Sequence, residues 1–581
     1  KMYRANQRHL QPFLISNITD LPATKRKRLE QSWAHTFYRE FFCRINEDAF
    51  AVLYVDYPSR PNVPINWLMG LETLKAGFGW SDEELYDHFC FDLQVRYALG
   101  LDDLSEGEFD LRSLYNFRER LSRYNLERGE NLLNRAFEQI TDQQLTALKV
   151  KTGRQRMDST MVASNILDMS RLQLLVEALQ RVYRALSEAD QQRYAETFAP
   201  YLQGHAGQYV YRIKGKEAAN EHLQQIGELI QRLLTDLQSA YAQEPAYQVL
   251  LRLFGDNFRL EASRVRAKAD QELAAGCLQS VDDLEATYRK KGQRKYKGYV
   301  ANLSETCDPE NELQLITQVQ VAPNNVDDTR LLAEGMPGLK ERMRVEVLHT
   351  DGGFAGPTVD PVLEQCQVEQ IPSGIRGREP GPGKLSLADF ELESAASGLP
   401  EKITCPQGQT VVVTTSHRKK SFQADFDPQI CQTCPFQREA RCPARPGKRR
   451  ASFRLTFPPS QILVAQRRRR MRARGQEGKN QRAAIEGTIR EVKHPYPGSK
   501  LPVRGLFRVT ALIVSSAAMT NVRRIYHHLE RKRAAMRRME DQKQEGNRGS
   551  RSTGSSFWSF AGGLHEWLSS FVALRRPCFD C

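Results

Sequence analysis

Residues 480–494 read Asn-Gln-Arg-Ala-Ala-Ile-Glu-Gly-Thr-Ile-Arg-Glu-Val-Lys-His, and they limit the fold more than any other stretch of the chain. At 3.6 residues per turn, Ile485, Ile489 and Val492 fall on one stripe that needs a core to face. Arg482, Glu486 and Lys493 share a neighbouring face. A carboxylate between two cations on a half-buried helix is either a solvated face laced with ion pairs or part of a site. Its company bears on the choice. Asp158 in Arg-Met-Asp-Ser-Thr and Asp351 in His-Thr-Asp-Gly-Gly-Phe-Ala-Gly each lie at the end of a strand-like run.

Glycines beside Asp351 let the backbone bend sharply and let a bulky substrate approach, although a plain Asp-Gly turn looks the same in sequence. Before it, 298–303 and 313–321 read as two antiparallel strands, and Asp327-Asp328 starts a short helix expected to end near Gly335–Gly338. Asp158 and Asp351 are 193 residues apart, and Asp351 and Glu486 are 135 apart, so both intervals must hold insertions. The first interval is helical: Leu223, Ile226, Ile230, Leu233 and Leu237 repeat at 3–4 spacing, as in a helical hairpin packed on itself or on a second subunit.

The second interval holds a Pro/Gly-rich loop (372–384) and then Cys405-x25-Cys431-x2-Cys434-x7-Cys442. Cys-x2-Cys offers two thiolates from one turn, and two more would complete a tetrahedral zinc site, with His417 able to replace one of them. A set of buried thiols is the alternative.

The N-terminal 140 residues read as helices. Ile65, Leu68 and Leu71 share a face; Ser81 to Glu84 forms a capping-box start for a helix with Leu85, Phe89 and Leu93 inward. In the next, Leu111, Leu114, Phe117 and Leu121 point inward and Arg112, Arg118, Arg120 and Arg123 outward. Short helices with a basic outer face suit DNA binding, and generic packing with snorkelling arginines competes with that reading.

The net charge of +14 is concentrated: residues 467–474, with Arg468, Arg469 and Arg470, hold six arginines, and 289–297 hold six basic residues. Such runs displace counterions from phosphate backbones, or else serve as solvated linkers. No apolar run reaches membrane-spanning length, since 506–519 is interrupted by Arg508, Thr510 and Ser515. No charged-then-apolar leader opens the chain, so a cytoplasmic location is expected and eleven cysteines are expected as core residues or metal ligands.

Asp158, Asp351 and Glu486, with the spacing Arg482-x3-Glu486-x6-Lys493, resemble the DDE triad and signature helix of bacterial insertion-sequence transposases, in the branch with a cysteine cluster between the second Asp and the Glu. The resemblance covers about residues 10–530 and departs at Lys479, where related enzymes often carry Tyr. It implies an α/β fold: a ribonuclease-H-like catalytic core (146–530) with a helical insertion (about 171–285) and a cysteine-rich insertion (about 366–460). An N-terminal helical DNA-binding domain (1–145) and a basic, then low-complexity tail (531–581) would flank it.

Three carboxylates about 4 Å apart repel by roughly 4 kcal/mol per pair at an effective dielectric near 20, so such a site needs hard divalent cations, Mg²⁺ or Mn²⁺. The implied activity is metal-dependent cleavage at the element's terminal inverted repeats and joining of the 3′-OH ends to target DNA. A homodimer on DNA and a nucleoid-associated bacterial protein are expected. A catalytically inactive DNA-binding descendant, or a nuclease without joining, are the alternatives.

Overall fold

The computed structural model describes residues 3–549 other than 12–14, 55–60, 211, 263, 376–380, 395–398, 417–420, 448–451, 475–476, 497 and 499. His417 and the end of the expected tail therefore lie outside the described residues. The fold mixes α-helices with two six-stranded sheets and a two-stranded one. No helix among the described residues is long and apolar enough to cross a membrane. The chain divides into two compact units, one of residues 1–150, 311–315 and 514 onward, the other of 151–310 and 316–513.

The first unit is helical: α1 (Ala23–Glu30), α2 (Trp33–Glu40), α3 (Ile65–Phe78), α4 (Asp82–Phe91), α5 (Leu93–Ala98), α6 (Leu111–Arg128) and α7 (Leu132–Ala147). The capping box forms as its residues predict, with Ser81 Oγ accepting from Glu84 N at 3.1 Å and Glu84 Oε2 accepting from Ser81 N at 2.7 Å. The helix read through to Leu93 stops at Phe91, because Asp92 turns its carboxylate back to cap α5 through Gln94 N and Val95 N. Leu114, Phe117 and Leu121 are buried on α6, as expected.

The second unit is built on a sheet. Its members in chain order are β1 (Arg154–Val162), α8 (Arg171–Ala185), α9 (Glu188–Arg193), α10 (Ala195–Phe198), α11 (Gly207–Val210), α12 (Lys216–Tyr241), α13 (Pro245–Asn257), β2 (Phe258–Glu261), β3 (Arg264–Ala267), β4 (Thr287–Lys291), β5 (Arg294–Thr306), β6 (Ile316–Pro323), α14 (Asp328–Met343), β7 (Val347–Thr350), α15 (Asp360–Gln365) and β8 (Glu369–Pro372). β5 pairs with β1 on one side and with β4 and β6 on the other, all antiparallel, while β1, β7 and β8 run parallel. The strands thus lie in the order β6-β5-β1-β7-β8. The last nine residues of β5 are buried without interruption, the pattern of a strand covered on both faces.

Between β1 and β4, α8, α12 and α13 bury Leu175, Leu179, Ile226, Ile230, Leu250 and Leu253 in a core of their own. α14 does not end near Gly335–Gly338 but continues through Pro337 to Met343. A Cβ at Gly335 would come within 2.6 Å of the end of the Gln320 side chain, which would have to move aside.

Past β8 a second, antiparallel sheet forms from β9 (Glu391–Ser394), β10 (Pro400–Thr404), β11 (Thr410–Ser416), β12 (Ser421–Phe426), β13 (Arg445–Pro446) and β14 (Phe453–Phe457), with α16 (Pro428–Thr433) and α17 (Pro435–Arg438) beside it. Then come α18 (Pro459–Arg474), α19 (Glu477–Lys493) and α20 (Leu506–Gly549). α20 runs through the first, basic part of the expected tail to Gly549. Residues 531–545 are rich in Arg, Lys, Ala, Met, Glu and Gln with no Gly or Pro, so nothing local stops the helix.

Candidate active site

Parallel pairing places the two aspartates. Arg156 of β1 lies opposite His349 of β7, the last pair of that ladder, and Asp158 and Asp351 each stand two residues further along. Asp158 sits within β1, not at its end, and is 7% exposed, whereas Asp351 follows the last residue of β7 and caps the turn through Gly353 N at 2.6 Å. Arg482 of α19 reaches into this pair: its Nη2 lies 3.2 Å from Asp158 Oδ2 and 3.8 Å from Asp351 Oδ2. Burial pushes the Asp158 carboxyl above the usual carboxylate range, with Arg482 and the Ser159 amide opposing and Asp351 adding to the rise. Arg482 Nε is buried and has no hydrogen-bond partner among the described residues, so the guanidinium keeps a spare donor.

The helix that carries Arg482 is fastened to the sheet at both ends of its buried stripe. Ile485, Thr488 and Val492 are buried on α19, with Ile489 only half-buried. Thr488 belongs to the stripe because its hydroxyl donates to Glu305 Oε2 at 2.7 Å. Fully buried Glu305 is also paired with Arg156 at 2.5 Å, and Arg156 donates to the Gln481 carbonyl at 2.9 Å. Lys493 Nζ donates to Thr160 Oγ1 at 3.0 Å and to the Met161 carbonyl at 3.1 Å, and burial lowers its pKa. Glu486, one turn beyond Arg482, is exposed. Asp158, Asp351 and Arg482 are therefore drawn together, and Glu486 stands off on the same helix.

A third carboxylate adjoins the pair that the sequence reading passed over as a helix cap. Asp328 Oδ1 accepts from Ser159 Oγ at 2.8 Å, and burial raises its pKa, with Asp351 among the further causes. Both Asp328 and Asp351 crowd Gly353, where a Cβ would meet Asp351 Oδ1 at 2.8 Å and Asp328 Oδ2 at 3.1 Å. The Asp-Asp doublet was the available signal. Among the described residues, however, no group of three or more His, Cys, Asp or Glu is arranged so that it could hold a metal ion.

The cysteines converge more loosely. Cys405, Cys431, Cys434 and Cys442 line one small cavity with Phe390, Phe426 and Phe436. Burial, and then the neighbouring Cys442, Cys405 and Cys434, push the Cys431 thiol up to about 11. Sharing a cavity is a weaker relation than sharing an ion, and the four thiols are gathered without being closed into a ligand cage.

The basic residues differ in burial and in what holds them. Arg467 pairs with Asp360, Arg472 with Asp389, and Arg469 donates to the carbonyls of Ala388 and Phe390. Arg468 is half-buried and Arg470 is exposed. On α6, Arg112 is exposed, but Arg118 does not point outward as expected: its guanidinium is held by Glu72 at 2.5 Å and Asp82 at 2.7 Å.

Residues 404–526 match a protein-family model described as "Transposase DDE domain". The matched stretch contains Cys405, Cys431, Cys434 and Cys442, together with Arg482, Glu486 and Lys493, and it begins after Asp158 and Asp351. No curated protein and no solved structure matches the chain.

Proposed function

We propose that the chain is a DDE transposase, on the match of residues 404–526 to the transposase DDE model, and that it binds the ends of its mobile element, cleaves DNA there and joins the 3′-OH ends to target DNA. The observation that supports this reading is the Arg482 guanidinium, which lies 3.2 Å from Asp158 and 3.8 Å from Asp351 on the helix that also carries Glu486. The strand order β6-β5-β1-β7-β8, antiparallel then parallel, supports a ribonuclease-H-like core.

Asp158 and Asp351, which meet at one guanidinium, offer the carboxylate oxygens that a hard divalent cation takes. Asp158 and Asp351 would hold Mg²⁺ or Mn²⁺, with Glu486 completing the set. A pair of such ions supplies activation of the attacking oxygen and stabilisation of the leaving 3′ oxygen. The chain's own part is positioning. Arg482 holds the two aspartates and lies near the phosphates at the cut, and Lys493 steadies the end of β1 beside them. Arg112, Arg468 and Arg470 contact phosphates, whereas Arg118 and Arg469 serve the fold. The protein acts as a homodimer on DNA, in the bacterial cytoplasm.

Asp158→Ala, Asp351→Ala and Glu486→Ala should each abolish end cleavage while a gel shift shows DNA binding retained. Normal cleavage by any one variant would remove that residue from the site, and for Glu486 would point to Asp328 as the third carboxylate.

A further inference from the structure

A large open groove runs along the second unit between the β4–β5 hairpin and the helical segment that follows β1. Its volume is about 1280 Å³, above the roughly 300–1,000 Å³ of a small-molecule pocket, so it has room for a larger ligand. Six cations line it: Arg171, Arg289, Lys290, Lys295, Lys297 and Lys500. Asp168, Asp270 and Asp327 oppose them, but Asp168 is taken by Lys297 at 2.6 Å and Asp327 caps α14. Arg171 and Arg289 hydrogen-bond only to uncharged acceptors, Asn257 and the carbonyls of Lys268, Asn324 and Val326, although Asp270 lies near Arg171 and Asp328 near Arg289. Lys290, Lys295 and Lys500 are exposed.

The hairpin is also built against its own interest. Lys290 stands directly opposite Lys295, and Lys291 opposite Arg294. Like charges facing one another across a strand pair are destabilising, so an anion that sits between them relieves a cost the fold otherwise carries. The groove also adjoins the candidate active site. Ala163 and Ser164, which line it, follow β1 directly, and Ala163 bridges to Lys500. At about 3.3 Å per residue, Ala163 lies about 17 Å along the strand from Asp158, or about five nucleotides of B-form rise.

We propose that this groove carries the phosphodiester backbone of DNA leading away from the Asp158–Asp351 site, with Lys290, Lys295 and Lys500 on successive phosphates and half-buried Tyr288 available to stack against a base. The proposal rests on the transposase reading. Full-length protein with Lys290→Ala, Lys295→Ala and Lys500→Ala together is titrated with random-sequence duplex and single-stranded DNA at several salt concentrations. Lys216→Ala, Lys384→Ala and Lys402→Ala together match its loss of charge outside the groove.

The slope of log affinity against log salt should flatten by up to about 2.7 on duplex or about 2.1 on single strand, and the probe that shows it identifies the form of DNA held. The charge-matched control should keep the wild-type slope. The groove variant should melt no lower than wild type, because two opposed lysines are gone. A wild-type slope on both probes, or an equal loss in the control, overturns the groove. Wild-type protein that binds neither probe fails the transposase reading itself.

Discussion

Asp158 and Asp82 meet the same problem, a carboxylate with little water around it, and end with opposite proton affinities. For Asp158 burial outweighs one shared guanidinium. For Asp82 burial also pushes upward, but Arg118 and Lys75 overcome it and hold the carboxyl at about 2. A folded-state value below the unfolded one gives stability that is present above the unfolded value and lost as pH falls through the folded value. Asp82→Asn should therefore cost on the order of 1–2 kcal/mol at neutral pH, and the difference from wild type should vanish as pH falls from about 4 towards 2. Chemical unfolding of both proteins across that window is the check, and a pH-independent difference would mean packing, not charge, is at stake. Arg118 shows what sequence can and cannot give at this scale. Helical periodicity put it off the core stripe, correctly, but period alone does not reveal that Glu72 and Asp82 of other helices wait beside it.

At the scale of the element, α18 and α19 follow one another and do different work. The arginine run on α18 reads as a uniform basic block, yet Arg467, Arg469 and Arg472 are tied to Asp360, to the Ala388 and Phe390 carbonyls, and to Asp389. Arg470→Ala should flatten the salt dependence of DNA binding by roughly 0.9 with little change in melting temperature, and Arg469→Ala should do the reverse. Equal effects from the two would return the run to a featureless linker.

The segment holding the cysteines is likewise more than loops: six strands bury Phe390, Ile403, Phe422, Phe426 and Phe457 beneath them. If the four thiols take zinc, purified protein should carry about one zinc per chain, and Cys434→Ser should lose it along with some stability. Metal analysis of protein prepared without chelator, finding none, would leave a thiol-lined apolar pocket. The β-sheet here was not read although Thr410–Ser416 is rich in Val and Thr, because its other strands run to six residues at most, whereas α12 announced itself through five apolar residues at helical spacing, all of them buried.

Over the whole molecule, the readable features were those that repeat locally: helical stripes, a capping box, the two strands before α14. Those that needed partners far along the chain were not, among them the approach of Asp328 to Asp351 and the place of Thr488 against Glu305. The separation has a consequence in time. Arg482 and the Asp158 it neutralises are 324 residues apart, and at about 5–20 residues per second of synthesis roughly 16–65 s pass between their emergence from the ribosome. The helical segment, with a core of its own, can fold in that interval, while β1 waits first for β5, then β7, and last for α19. Asp158 thus meets Asp351 before Arg482 exists to separate their charges, and a nascent chain stalled ahead of α19 cannot complete the site. A site assembled in this order exists only once most of the chain has been made.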